Sequence, residues 1–325
     1  MGKLENEKTY DSVFWTGVVK MTRYLVPLVN EVFGTDYSEK AKVILKPSKQ
    51  TMQKPDGSYV RGEVDAMAEI EEGGRHRFYH FEVETWRDES IIFRVAEYMV
   101  SSAYDMISET DDGALIMLPS SAVIFLHAGK DTKDEYFITL DYPGGSAKYK
   151  VPVLKISDYD INDFIDKKLL LLLPFFGFNY ADKFNEMDKN RAELDEFLQV
   201  LRDVDAKLKD MVKSRQINEH EKENLENRIK RVLEKLTVKY REVQKGVENE
   251  MGVPLLIEPS DVEEIREQAM NLGISQGLSK GVDIEKKENA FRMYDDGLAI
   301  EKIAQYVGAD IDKVKTWLSD ADIKR

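Results

Sequence analysis

The sequence predicts a mixed α/β protein in which a sheet covered by helices is followed by a long helical region and a small helical module. Three observations support this: an alternating pattern around Gly73-Gly74, strand patterns interleaved with helical ones up to about residue 180, and a near loss of glycine and proline after it. We therefore divide the chain into 1–180, 181–250 and 251–325.

The composition bounds the possible functions. A formal net charge of -14 argues against a broad nucleic-acid surface, because non-specific affinity comes from Lys and Arg that neutralise phosphates. With no cysteine, neither disulfides nor a thiolate metal site can form. We see no signal peptide, and the apolar run Leu169–Phe178 is too short to span a bilayer. We expect a cytoplasmic protein with no membrane partner.

The N-terminal residues read as helix and then strand. Apolar spacing over Tyr10–Phe33 predicts one or two helices, with a break or start at Pro27 and an end at Gly34. Ala41–Leu45 is a predicted strand, followed by a loop with a turn at Asp56-Gly57.

The stretch from Arg61 to Trp86 reads as a β-hairpin. Alternating runs flank Gly73-Gly74, a strong two-residue turn signal. In this register, any one-residue slip would mix acidic and apolar faces, so the pattern itself selects the pairing. The predicted facing pairs are Asp65 with Glu82, Glu63 with Glu84, and Met67 with His80. The opposite, apolar face contains Val64, Ala66, Ala68, Ile70, Tyr79, Phe81 and Val83.

The four acids on one hairpin face need an explanation, because like charges opposite one another destabilise a sheet. One explanation is a solvated outer face. The other is a hard-cation site, since carboxylate oxygens suit Mg²⁺, Mn²⁺ or Ca²⁺.

The order Asp65, then Glu82-Val83-Glu84 on the next strand, resembles the catalytic core of the PD-(D/E)XK nuclease superfamily. The wider context resembles its Rpn-like branch of recombination-promoting nucleases and transposases, over roughly the first 180 residues. The segments that carry this resemblance are Lys8–Phe14, Pro27–Phe33, Tyr79–Glu84 and Leu169–Phe178.

The resemblance implies a restriction-endonuclease-like core sheet flanked by helices and a metal-dependent DNA endonuclease linked to recombination. It implies that Asp65 and Glu82 bind Mg²⁺ or Mn²⁺, with the Val83 carbonyl completing the site, and that the metal activates water. An acid from the first helix can approach the metal in this superfamily, which makes Glu31 a candidate. A solvated helix residue is the alternative for Glu31.

Two more candidates follow the metal motif. Arg94 and Tyr98 lie one turn apart on a predicted helix and resemble an Arg and a Tyr at these positions in the family. Arg94 could hold a phosphate or orient an acid, or be an ordinary helix arginine. His80 and Glu63 are candidates because they share the acidic face.

Glu84 departs from the pattern, because the superfamily usually has Lys there and this branch often Gln. An ionised Glu84 cannot donate to developing negative charge. It could ligate a second metal, act as a general base with a raised pKa, or mark a fold that has lost catalysis. The sequence therefore keeps two hypotheses: an endonuclease, and an inactive nuclease-fold scaffold that binds protein partners.

Further elements complete the first domain and include a buried strand ending at His127, which we interpret as structural. The predicted elements are a helix at Ile91–Ser108 and strands at Ala122–His127, Tyr136–Tyr142 and Ala147–Leu154.

Residues 181–250 alternate charges of both signs with apolar residues at helical spacing. This predicts two or more long amphipathic helices, packed as a hairpin or coiled coil and able to support a homo-oligomer. The balanced charge favours a solvated face over a nucleic-acid surface.

The C-terminal part begins with a predicted linker, Met251–Ser260. The following Gly273, Gly277 and Gly281 lie in polar sequence, which excludes a membrane helix pair. The tail looks like a helix-turn-helix module, but its last helix, Asp310–Leu318, mixes acidic and basic residues. Packing or self-association is favoured there over DNA reading.

Overall fold

A computed structural model describes residues 2–46, 49–53, 59–63, 65–86, 90–103, 106–253, 286–287, 289–294 and 298–322. The chain forms two compact units, residues 1–254 and residues 255–325. The sequence predictions for Val64, for the Asp56-Gly57 turn and for the three spaced glycines lie outside the described residues.

A six-stranded mixed sheet forms the centre of the first unit, in the order β1-β4-β5-β8-β10-β9. The β5–β8 and β8–β10 pairs are parallel, and the other neighbours are antiparallel. Two separate ribbons, β2–β3 and β6–β7, accompany it. The strands are β1 Lys42–Leu45, β2 Lys49–Gln53, β3 Tyr59–Glu63, β4 Ala66–Glu72, β5 Arg75–Glu84, β6 Ile107–Thr110, β7 Gly113–Ile116, β8 Ser120–Phe125, β9 Glu135–Tyr142 and β10 Gly145–Lys155.

Helices flank this sheet. They are α1 Gly2–Lys20, α2 Leu25–Phe33, α3 Ile91–Ala103, α4 Ile161–Asp166, α5 Phe184–Met187, α6 Arg191–Lys213, α7 Glu219–Thr237 and α8 Arg241–Met251. Short 3-10 segments cover Thr22–Tyr24, Ile156–Asp158 and Leu173–Lys183. Gly34 ends α2 with a φ of 64°, as the sequence predicts, while Pro27 lies within the first turn of α2.

The sheet separates two apolar layers, because successive strand residues point to opposite faces. Ala122 and Ile124 of β8 belong to the main core, which α1, α2, the Leu169–Phe178 run and α6–α8 share. Val123 and Phe125 of the same strand pack instead with the apolar side of α3. Thus α3 covers one face of the sheet, and the main helical layer covers the other.

The predicted hairpin and its register are confirmed. Gly73 and Gly74 have φ values of 59° and 78°, and two positive φ angles are what a type I′ turn requires. In the ladder Ala66 lies opposite Phe81, and Met67 lies opposite His80.

The predicted pairing of Glu63 with Glu84 is wrong. The β4 strand begins only at Ala66, and Glu63 lies in β3, opposite Lys49 of β2. The segment predicted as a loop before the hairpin therefore contributes an antiparallel ribbon. Because Glu63 belongs to β3 and not to the β4–β5 hairpin, it is not part of the acidic face that the sequence pattern predicts.

The helix that was predicted to reach Ser108 ends at Ala103. Ser108 lies in β6, which pairs with β7 across a turn at Asp111-Asp112 that ends on Gly113. Gly113 has a φ of 149°, a backbone conformation that an α-helix cannot contain. The apolar spacing that predicts a helix therefore does not continue as a helix through this turn.

The described residues of 181–253 contain helices and no strand, as predicted. These helices do not form an isolated coiled coil. They share one core with the first 180 residues, and α7 packs on the 3-10 segment so closely that a Cβ on Gly177 would lie 2.6 Å from Leu233 Cδ2. Among the described residues, none of the helices has the length and apolar character needed to cross a membrane.

The second unit contains the three helical stretches that the tail pattern predicts. Residues 289–294 are helical, and helices Ile300–Val307 and Ile311–Asp322 follow, separated by Gly308 at a φ of 60°. Their small core includes Ala290, Ile303, Val307, Val314 and Trp317.

Candidate functional site

The last three even-numbered residues of β5, His80, Glu82 and Glu84, form a polar face that lies beneath α3. Glu82 is 2% exposed and His80 is 1% exposed, and Glu84 is also buried. A solvated outer face, one of the two explanations for these acids, does not describe Glu82. Because a buried carboxylate is costly unless it is paired, the contacts of this face decide its chemistry.

Asp65 lies just before β4, where the ladder with β5 has ended. Its Oδ2 accepts a hydrogen bond from the Val83 N–H at 2.7 Å. The N–H and C=O groups of one strand residue point to the same edge, so the Val83 carbonyl also faces the edge where Asp65 lies. The sequence predicts Asp65 directly opposite Glu82, whereas the structure places it against the backbone one residue further on.

The surroundings of the Asp65 carboxyl shift its pKa. Burial, followed by the negative charges of Glu82 and Asp11, holds the pKa of Asp65 well above its ordinary value. The Val83 N–H and the Arg94 guanidinium act in the opposite direction on that pKa but do not outweigh burial and repulsion. The negative charges of Glu82 and Asp11 therefore both act on Asp65 near the end of β5.

The third of these acids, Asp11, was missed as a candidate. It lies on α1, which packs against β5. A signal was present, because Asp11 belongs to Lys8–Phe14, one of the segments that carry the family resemblance. The acid that the first helical segment brings close to Asp65 is thus Asp11.

Glu31, the predicted acid of the first helical segment, is engaged elsewhere. Its Oε1 accepts from the Tyr159 hydroxyl at 2.9 Å and from Lys167 Nζ at 2.7 Å. In the described parts of the chain, no contact joins Glu31 to Asp65 or Glu82.

A buried hydrogen-bond chain holds Glu82. His80 Nε2 lies 2.8 Å from Glu82 Oε1, and His80 Nδ1 lies 3.1 Å from Ser121 Oγ. Since a carboxylate only accepts, Nε2 donates to Glu82, while Nδ1 and the Ser121 hydroxyl share the second hydrogen bond. The Tyr98 ring packs edge-on against His80, with centroids 5.7 Å apart.

This order of carboxylate, histidine and serine matches a nucleophilic triad, but Ser121 is 0% exposed. A nucleophile must reach its substrate, so Ser121 does not serve as one. The hydrogen bonds from Ser121 through His80 instead hold the Glu82 carboxylate in one orientation. The Tyr149 hydroxyl extends the chain, accepting from the Ser121 N–H at 2.6 Å and donating to the Pro119 carbonyl at 2.5 Å.

Glu84 forms an ion pair with Arg94 of α3. The Arg94 side chain remains partly exposed, and its charge lowers the pKa of Asp65, so the guanidinium lies close to the acids. A positive charge thus reaches this end of β5 from the helix.

The oxygen-rich donor set suits a hard cation, with Asp65, Glu82 and the edge carbonyl of Val83 as donors. In the described residues, no group of three or more His, Cys, Asp or Glu side chains is arranged to hold a metal ion. Such a group is not required for Mg²⁺, which keeps several waters and is often held by one or two carboxylates.

No family model matches this chain, and neither does any curated protein or solved structure with which it was compared. The geometry and charges of the site therefore carry the functional conclusion.

Proposed function

We propose that this protein is a metal-dependent DNA endonuclease of the PD-(D/E)XK type, related to the Rpn-like recombination-promoting nucleases. The observation that carries the proposal is the Asp65 carboxyl against the Val83 backbone, whose pKa is raised by burial and by the charges of Glu82 and Asp11. Titratable groups whose pKa is shifted by desolvation and by a specific charged partner are common at functional sites, and a bound cation would relieve the repulsion between these acids. The mixed sheet flanked by helices supports the same proposal.

Asp65, Glu82 and the Val83 carbonyl would hold Mg²⁺ or Mn²⁺. A divalent cation in such a site lowers the pKa of water and neutralises charge on the phosphodiester. The His80–Ser121 chain holds Glu82 Oε1 and so leaves the carboxylate one orientation. The Val83 N–H does the same for Asp65 Oδ2. These contacts preorganise the donors before substrate arrives.

Arg94 would take over the electrostatic role of the missing lysine. Its guanidinium is charged at every physiological pH and presents five donors, which suit phosphate oxygens. Glu84 orients Arg94 through their ion pair. In this arrangement Glu84 supports a positive group and does not itself ligate the metal.

A second function remains, an inactive scaffold with a nuclease-like fold that binds protein partners. The observation in its favour is that Arg94 already neutralises Glu84, so the β5 position that normally supplies a lysine contributes no net positive charge. In this case the helical region would provide the binding surface, including one for a second copy of the chain.

Metal titration and plasmid cleavage test the first proposal. At a concentration 100 times its Kd, Mg²⁺ or Mn²⁺ should raise the free energy of unfolding by about 2.7 kcal/mol. Asp65→Asn should remove most of that response and reduce cleavage on the order of 100-fold or more. Glu109→Gln, a change at an exposed strand carboxylate, is the matched control and should leave both readouts unchanged.

The Glu84→Lys variant separates the possible roles of this residue. If Glu84 only orients Arg94 or is a remnant, the variant should fold and keep or gain cleavage. If Glu84 is a ligand or base, cleavage should fall. No melting shift in millimolar Mg²⁺ or Mn²⁺, together with no cleavage by the parent or by Glu84→Lys, would reject the nuclease and leave the scaffold.

A further inference from the structure

Trp86 is an exposed aromatic residue just beyond the end of β5. Its side chain is 46% exposed, and its ring packs on the His127 imidazole with centroids 4.4 Å apart and an interplanar angle of 41°. A single exposed aromatic residue is ordinary on a protein surface. Trp86 differs because the His127 ring packs against it and because the two rings lie at the ends of β5 and β8, next to Glu84.

His127 is held from several directions. Its backbone N–H donates to the Thr85 carbonyl at 3.1 Å, and the preceding N–H, of Leu126, donates to the Glu84 carbonyl at 2.8 Å. On the side chain, His127 Nε2 pairs with Asp182 Oδ1 at 3.2 Å. The two rings therefore extend from the ends of two hydrogen-bonded parallel strands, and rigid elements of this kind position a binding group precisely.

The ring pair lies beside the acid site. Trp86 follows Glu84 by two residues, and His127 follows Phe125 by two, while Phe125 and Glu84 are register partners in the β5–β8 ladder. At about 3.3 Å per strand residue, Trp86 begins within roughly 7 Å of Glu84 along the chain. A nucleotide next to a phosphate held at the acids is within reach of the indole.

We propose that Trp86, supported by His127, is a stacking platform for an unpaired base of the DNA strand, and that the substrate is single-stranded or frayed DNA. This inference rests on the proposed nuclease function and names its substrate class. In a duplex, neighbouring bases cover both faces of each base, so only an unpaired base offers a face to an indole.

The charge of the protein favours the same conclusion. With a net charge of -14, the chain lacks the excess of Lys and Arg that gives duplex binders their affinity. Single-strand binding also uses positive charge, but base–aromatic stacking supplies a part of the affinity that needs no neutralised phosphate and tolerates any sequence. A strand bound by stacking beside a cation-filled acid site suits an acidic protein better than a duplex would.

Fluorescence anisotropy of the full-length chain tests the platform, with a labelled oligo(dT) and a labelled duplex of the same length as probes, in Mg²⁺ and in Ca²⁺. Trp86→Leu should weaken oligo(dT) binding by about 5- to 100-fold, the effect of losing one stacked base. Trp86→Phe should retain most of the affinity, because a phenyl ring also stacks. In Trp86→Leu the affinity for the duplex should change less than about 2-fold, because paired bases offer no free face for stacking.

The matched control is Tyr142→Ala, which removes another exposed aromatic residue, 56% exposed, at the β9–β10 turn. It should bind oligo(dT) as the parent does. Intrinsic fluorescence adds a direct signal: oligo(dT) should quench the parent, and Trp86→Leu should lose that quenching although two of the three tryptophans remain. Melting curves of each variant verify folding.

The outcomes separate this inference from the nuclease proposal. Equal oligo(dT) affinity of parent and Trp86→Leu, with Mg²⁺-dependent cleavage present, overturns the platform and leaves the nuclease. Trp86-dependent oligo(dT) binding without cleavage rejects the nuclease and supports the platform. An equal loss of duplex and oligo(dT) affinity in Trp86→Leu also overturns the platform, because it shows a DNA contact that does not depend on an unpaired base. No binding of either probe by the parent overturns it as well and favours a protein partner for this surface.

Discussion

In the C-terminal half of β5, from Tyr79 to Glu84, both faces are buried, but they are stabilised in different ways. Tyr79, Phe81 and Val83 point into the main core and are held by apolar contact. His80 and Glu82 point under α3 and are held by directed hydrogen bonds at 2.8 and 3.1 Å. Apolar burial needs only complementary shape, whereas a polar face can be buried only where each group meets a partner.

The comparison of the two faces shows which acidic side chain lacks full stabilisation by its neighbours. On the polar face, Glu84 has Arg94, and Glu82 has His80. For Asp65, burial and the charges of Glu82 and Asp11 outweigh the Val83 N–H and the Arg94 charge, so the pKa of its carboxyl is raised. Asp65 lies at the end of β5, and that is where we place the function.

The largest expected effect is on the apolar face. Phe81→Ala should lower the free energy of unfolding by about 3–5 kcal/mol, because it removes a fully buried ring from the main core. Urea unfolding of the variant measures this loss. Phe137→Ala is the matched control, since Phe137 is a partly exposed phenylalanine of β9, and it should cost far less. If Phe81→Ala lowers the free energy of unfolding no more than Phe137→Ala does, apolar burial is not what stabilises this face of β5.

A double-mutant cycle sharpens the comparison on the polar face. His80→Leu should cost about 1.5–3 kcal/mol, because Glu82 then loses its donor while still buried. The pair His80→Leu/Glu82→Leu should cost less than the sum of the two single changes, since it also removes the stranded charge. Denaturant unfolding of the four proteins gives the coupling, and strict additivity would contradict a directed His80–Glu82 pair.

The smallest effect is a pH dependence carried by Asp65. Its folded-state pKa is raised by burial, Glu82 and Asp11, with Arg94 opposing, so the folded state keeps the proton to higher pH than the unfolded state. Stability should therefore fall as pH rises from the unfolded pKa toward the folded one. In EDTA, the free energy of unfolding of Asp65→Asn relative to the parent should increase with pH and then level off.

This pH-dependent difference should shrink when Mg²⁺ is added, because the cation stabilises ionised Asp65 in the parent. A difference that stays constant with pH would show that Asp65 titrates normally. The same titration in the Glu109→Gln control should show no such trend.

Several features were accessible from short-range patterns. The Gly73-Gly74 turn and the alternation around it determine the hairpin register, because turn chemistry and side-chain period act over a few residues. The scarcity of glycine and proline in 181–250 likewise predicts the long helices. The apolar and acidic faces of β5 were predictable for the same reason.

The composition of the site was less accessible. Glu63 lies in β3 and not in the hairpin. Glu31 is held by Tyr159 and Lys167, and the acid of the first helical segment whose charge acts on Asp65 is Asp11. Each of these outcomes depends on segments far apart in the chain, and no local pattern reports how a helix packs against a distant strand.

The sequence by itself determined that β5 has one apolar and one acidic face and that Asp65 and Glu82 belong to the same hairpin. Only the tertiary structure decided that α3 covers the acidic face and pairs Glu84 with Arg94, and that burial and the charges of Glu82 and Asp11 raise the pKa of Asp65. The reason is physical: hydrogen-bonded register is set between adjacent strands, whereas desolvation and charge balance depend on everything that packs around a group.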